Sequence, residues 1–105
     1  MVARAMAADG AFMLDRTAPG TLAVSGALSF ATATTALQML GDALRAGDRS
    51  RLDLAGVRNC DSAGLACVLA VLAEARQRGQ AVSLQNVPAG LRTLAQVSGV
   101  EALLA

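Results

Sequence analysis

Apolar residues alternate with polar or small ones over Ala11 to Asp15 and again over Thr21 to Ser25, with Pro19-Gly20 between the two runs. A period of two marks a strand with one buried face, and Pro-Gly is a strong turn signal, so the pattern predicts a hairpin. From Thr32 to Ala46 the period lengthens, placing Leu37, Leu40 and Leu44 on one face of a predicted helix that Gly47 stops. Gly41 inside it weakens the helix by about 1 kcal/mol relative to Ala. Leu52, Leu54 and Val57 then alternate with Asp53 and Ala55 in a third strand, and a long helix follows over about Ser62 to Arg78, ended by Gly79. Ala81 to Gln85 reads as a strand. Pro88 opens a helix to about Val97 in the first-turn position that Pro favours, Gly99 stops it, and Val100 to Leu104 forms a last short turn.

The order strand, strand, helix, strand, helix, strand, helix makes this an α/β chain. Alternation in its second half implies parallel strands joined by crossover helices packed on a sheet. Met1 to Gly10 has no periodicity and is expected to be a flexible lead-in, leaving residues 11–105 as a single domain.

The richest stretch in chemistry is RLDLAGVRNCDSAGLACVLAVLA, from Arg51 to Ala73. Asp61 falls where a helix needs a side-chain oxygen for its orphan amide protons, so it is the expected N-cap. Ser62 then stands in the first turn, near the positive end of the helix dipole, where added negative charge is tolerated. Gly64 keeps the neighbouring surface free of side chain, so another protein's backbone has room to approach. The plainer reading is that Asp61 and Ser62 cap a helix and do nothing else.

With GTLAVSGALSF before that stretch and GQAVSLQNVP and LAQVSGVEALL after it, the chain resembles the STAS domains, the family of bacterial anti-sigma-factor antagonists and related modules. The resemblance implies a STAS-type fold: a small mixed sheet of about four strands, with an N-terminal hairpin and crossover helices packed against it. In that family the residue after the Asp of D-[ST]-x-G is the regulatory hydroxyl, which here is Ser62. TLAVSGALSF, DSAGLA and LRTLAQVSGVEALL are most similar to the STAS subunit of Mla-type systems, which move phospholipid between the two membranes of Gram-negative bacteria. That similarity implies a non-enzymatic accessory subunit, cytoplasmic and peripheral to the inner membrane, bound to an ABC-transporter ATPase and through it to a permease. The alternative it implies is an anti-sigma-factor antagonist that binds a serine kinase and is switched by phosphorylation of Ser62. The motif also departs from the family, since such proteins often carry Thr or a second Gly where this chain has Ser62-Ala63.

Composition narrows the field. The chain of 105 residues is 54% hydrophobic but only 2% aromatic, so its core must be assembled from many small contacts. Its nine basic residues are all Arg, scattered among eight acidic ones for a net charge of +1, with no stripe to follow a phosphate backbone. Nucleic acid is therefore not an expected partner. The longest uncharged apolar run, Ala63 to Ala73, is well short of the roughly 20 residues that span a bilayer, so direct membrane insertion is not expected. The N-terminus lacks the continuous apolar segment of a signal peptide.

There is no His, which removes the usual general base and the commonest metal ligand together. Neither Gly-rich phosphate loop is present, so no nucleotide, metal or other cofactor is expected, and any ATP would be bound by a partner. Ser62 has no nearby base to activate it, but a kinase brings its own. Cys60 and Cys67 fit neither a redox pair nor a zinc knuckle; Cys60, next to a helix start where thiol pKa values can fall, supports a third reading as a nucleophile.

Leu65, Val68, Leu69 and Leu72 form an apolar stripe on the helix after Ser62, while Ala66, Cys67, Ala70, Val71 and Ala73 leave little polar face. Such a helix is covered on more than one side, by its own core or by a partner. The partner reading takes Phe30, Thr32, Ala63, Leu65 and Ala66 as contacts around Ser62. Phe30 as a hydrophobic staple or core plug is the competing reading. Arg76 and Arg78, with Arg49 and Arg51, read as solvated, helix-capping residues, the competing reading being contact with anionic headgroups beside a membrane.

Overall fold

A computed structural model describes residues 11–104, so the expected lead-in from Met1 to Gly10 lies outside the described residues. The elements are β1 (Met13–Asp15), β2 (Thr21–Leu28), α1 (Ala33–Arg45), β3 (Arg51–Cys60), α2 (Ser62–Gln77), β4 (Ser83–Gln85), α3 (Ala89–Val97) and a closing 3-10 turn, Glu101–Leu104. The four strands form one mixed sheet in the order β1-β2-β3-β4. β1 runs antiparallel to β2 through the predicted hairpin, while β2–β3 and β3–β4 are parallel across helical crossovers.

Leu22, Val24, Leu52 and Leu54 are buried, while Ala23, Ser25, Asp53 and Ala55 between them are half-buried or exposed. Among the described residues, the helices thus cover one face of the sheet and none lies over the other. β2 runs on to Leu28, past the expected end at Ser25, because Gly26 continues the strand at φ 84°. A Cβ there would stand 1.8 Å from the Ala11 carbonyl oxygen, so only glycine fits.

β3 carries one extra residue relative to β2 at each of two register shifts, between Ala23 and Ser25 and between Gly26 and Ala27 of the partner strand. These bulges cancel the simple alternation after Leu54, leaving Ala55 and Gly56 both exposed. Asp53 Oδ1 holds the first of them, accepting from the Ala55 N–H and from Asn86 Nδ2, both at 2.9 Å. Those bonds, the Asn86 one first, keep the Asp53 carboxyl below its ordinary value of 3.8. A carboxyl depressed in the folded state adds stability that is complete above its unfolded pKa and is lost as pH falls through the folded one. The melting temperature is therefore expected to hold from pH 7 down to about 4 and to fall below that, and Asp53→Asn to flatten the fall. A wild-type profile matching that of Asp53→Asn in thermal melts from pH 7 to 3 would remove Asp53 from this role.

Leu40 and Leu44 are fully buried, but Leu37, expected beside them, is 45% exposed. Ala36, Gly41 and Ala43 are buried with Leu40 and Leu44, which lets this helix pack closely on α2. α2 is indeed covered on more than one side: it packs on the sheet, on α1 and on α3, burying Leu65, Cys67, Val68, Val71, Leu72 and Ala75. Pro88 sits one position earlier than predicted, as the extended residue before α3 at ψ 147°.

Arg49 and Arg51 do not cap helices. One guanidinium nitrogen of Arg49 donates to the carbonyl oxygens of Arg16, Ala18 and Thr21 at 2.9–3.1 Å. Arg51 Nε donates to Thr21 Oγ1 at 3.0 Å and its Nη2 to the Pro19 carbonyl at 3.2 Å. Both side chains clamp the β1–β2 turn by adding donors to its backbone carbonyls.

Candidate functional site

β2 and β3 end side by side, and each is followed by a helix running back over the sheet, so the starts of α1 and α2 lie together at one pole. Asp61 is extended, at φ −141° and ψ −171°, and caps α2 as the sequence predicts, its Oδ1 accepting from the Gly64 N–H at 3.0 Å. Its second oxygen has a different partner. Asp61 Oδ2 accepts from the Phe30 N–H at 3.0 Å, across a sequence separation of 31. The bond from Phe30, followed by that from Gly64, holds the Asp61 carboxyl below 3.8, so it is a carboxylate at neutral pH.

Phe30 is 83% exposed. It is neither staple nor core plug: its ring is on the surface, and its backbone is bonded to Asp61, the residue before the exposed Ser62. Ala66, one turn on, is exposed, and Ala63 is half-buried. The structure thus brings Phe30, Ser62, Ala63 and Ala66 together around Asp61.

Three expected roles change. Leu65 is 4% exposed and packs into the core, so it supports this surface from beneath and is not a contact. Thr32 is half-buried with its hydroxyl committed inward: Oγ1 accepts from the Ser29 N–H at 3.0 Å and donates to the Ala27 carbonyl at 2.8 Å. It locks the loop between β2 and α1 and leaves no hydroxyl for a partner. Gly64 is buried, and a Cβ on it would stand 1.9 Å from the Leu28 carbonyl oxygen. The close approach that Gly64 permits is by the end of β2, inside this protein, and not by another protein's backbone.

The Cys60 thiol is pushed up from its ordinary value, by burial first and by the Asp61 carboxylate second. That is opposite to what a nucleophilic cysteine needs and weighs against the reading of Cys60 as a reactive thiol. Cys67 is buried, and burial pushes its thiol up as well.

Leu37, assigned to the core by its spacing, adds exposed apolar surface to α1, whose first residue follows the Phe30 loop. Its spacing matches that of the buried Leu40 and Leu44, and periodicity within one helix carries no signal of how far its neighbours cover it. Among the described residues, the other exposed large apolar side chains are Val97, at the far end of α3, and Leu103 in the closing turn. A surface depression of about 660 Å³ opens at the opposite pole, between Arg51, Leu72, Arg76 and Gly79. There the C-terminus of α2 presents the negative end of its dipole and the Arg51 guanidinium is turned toward the hairpin, so an anion gains little from the two arginines. Among the described residues, no helix is long and apolar enough to cross a membrane.

A search of curated protein sequences finds no match. Among solved structures, the anti-sigma factor antagonist SpoIIAA in its unphosphorylated form is similar at a TM-score of 0.62 and 20% identity, over 82% of each chain. The Bacillus cell fate determinant SpoIIAA in its phosphorylated form is similar at a TM-score of 0.64 and 21% identity, over 89% of this chain and 87% of the other. At such identities the likeness speaks for the fold, a mixed sheet with helices on one face. The family model described as "Mlab, STAS domain" matches residues 13–105, which takes in every strand and helix just described. The chain belongs to the STAS domain family.

Proposed function

We propose that residues 11–105 act as one STAS domain whose work is docking, not catalysis: an accessory subunit that binds the cytoplasmic ATPase of an ABC complex. That complex moves phospholipid and maintains outer-membrane lipid asymmetry in a Gram-negative cell, and the subunit reaches the inner membrane only through its partner. The observation that carries this reading is Phe30, an aromatic ring 83% exposed yet fixed at its backbone beside Ser62. An exposed aromatic on a rigid support suits a protein interface, where a few such anchors supply most of the binding energy. The description of the matched family model supports the ATPase as the partner. A non-enzymatic role is supported by the absence of His and by a Cys60 thiol shifted away from reactivity.

A second reading, an anti-sigma-factor antagonist bound by a serine kinase, is favoured by the exposed hydroxyl of Ser62 in the first turn of α2 and by the likeness to SpoIIAA in both of its forms. Phosphorylation would place a charge of about −1.5 to −2 beside the Asp61 carboxylate, which breaks a neutral contact at an interface.

The test is retention of partners by tagged wild type and Ser62→Asp from cytosol and solubilised inner membrane. The wild type is expected to retain an ABC ATPase with its permease, and Ser62→Asp to bind that ATPase about tenfold more weakly or worse. Equal binding by both would take Ser62 out of the interface. Recovery of a serine kinase and no transporter would move the protein to the second reading.

A further inference from the structure

The geometry points to Asp61 as the residue that positions Phe30 for docking, a role separate from its capping of α2. This inference rests on the proposal that Phe30 meets a partner. Capping needs one acceptor oxygen, and a serine at this position would supply it about as well. Asp61 supplies two, and the second is used on the Phe30 N–H, not on α2.

The Phe30 ring has almost no packing of its own to hold it, being 83% exposed. Its place is set by the loop backbone. Thr32 Oγ1 fixes the base of that loop through Ser29 N and Ala27 O, and the Thr32 N–H donates to the Ser29 carbonyl at 3.0 Å. Neither contact reaches Phe30 itself. The Asp61 carboxylate does, and Asp61 is in turn anchored by its own N–H, which donates to the Leu28 carbonyl at 3.2 Å. Phe30 is thereby tied to the end of β2 and to the start of α2 at once. An anchor held in its bound position before the partner arrives loses less freedom on binding. Asp61 thus acts on the partner through Phe30 without touching it.

Two variants of the full chain separate seating from capping. Asp61→Ser keeps one oxygen for the Gly64 N–H and has none left for Phe30. Asp61→Asn keeps the cap and turns an NH2 group, a donor, toward the Phe30 N–H. Both are expected to melt close to the wild type, while amide hydrogen exchange at Phe30 speeds up about tenfold or more in each. Affinity for the purified ATPase subunit is expected to fall in both variants. In the pair Phe30→Ala with Asp61→Asn, the second change is expected to add almost nothing to the loss from the first. Unchanged exchange at Phe30 in both variants, or losses that simply add, would overturn the assignment. The exchange measurement needs no partner, so it decides the seating even if the wild type binds no ATPase, a result that would instead overturn the proposed function.

Discussion

A Gly64→Ala protein will be less stable than the wild type by about 3 kcal/mol. The added methyl would lie 1.9 Å from the Leu28 carbonyl oxygen and 2.6 Å from its carbon, where no atom can remain. What it meets is backbone of a fully buried residue, already bonded to the Asp61 N–H, so no flexible side chain can swing away. α2 must instead lift from the end of β2, loosening Leu65 and Val68 in the core. Small domains have only about 5–15 kcal/mol of stability in all, so the loss is a large share. Gly90→Ala is the control. Its Cβ would meet nothing closer than Cys60 Sγ at 3.4 Å, and alanine suits a helix better than glycine, so that variant is expected to be neutral or slightly stabilised. Urea unfolding midpoints compare the three proteins, and a Gly64→Ala midpoint equal to the wild type would show that the contact is loose.

Phe30→Ala carries the opposite signature. It removes a ring that contributes little to the core, so melting is expected to stay at the wild-type temperature. Binding to the ATPase is expected to weaken by about 2 kcal/mol or more, roughly thirtyfold in Kd, as for a buried aromatic anchor at an interface. Titration calorimetry on the two purified proteins reads the difference. Undiminished affinity would place the docking surface away from this pole, and a fall in melting temperature would mean that the ring packs on its own protein.

The elements that the sequence made legible are those set by local chemistry. Pro19-Gly20 gave the hairpin turn, Asp61 the helix cap, and Gly47, Gly79 and Gly99 the helix ends, each at a φ of 75–86°. What stayed hidden depends on distant parts of the chain. The alternation of β3 shows Leu52 and Leu54 but not the two bulges, because those arise from pairing with β2. Leu37 sits at core spacing yet is exposed, because which part of a helix its neighbours cover is set by packing that sequence periodicity does not contain. At the site, the motif named Asp61 and Ser62, and the Phe30 loop was placed near them. The second bond of Asp61 was invisible, since nothing in a chain says that residues 31 apart share a carboxylate. The same blindness put Gly64 on the outside, where an internal carbonyl was in fact its neighbour.

Arg49 reaches the β1–β2 turn across separations of 28 to 33 residues. The turn has a local bond of its own, from the Thr21 N–H to the Ala18 carbonyl at 3.1 Å, but the three bonds from the guanidinium come only after α1 has formed and β3 lies alongside β2. Contacts so distant carry the cost of closing a long loop before they give anything back. The N-terminal hairpin, though local in sequence, thus gains its full set of hydrogen bonds at the tip only with the long-range parallel pairing.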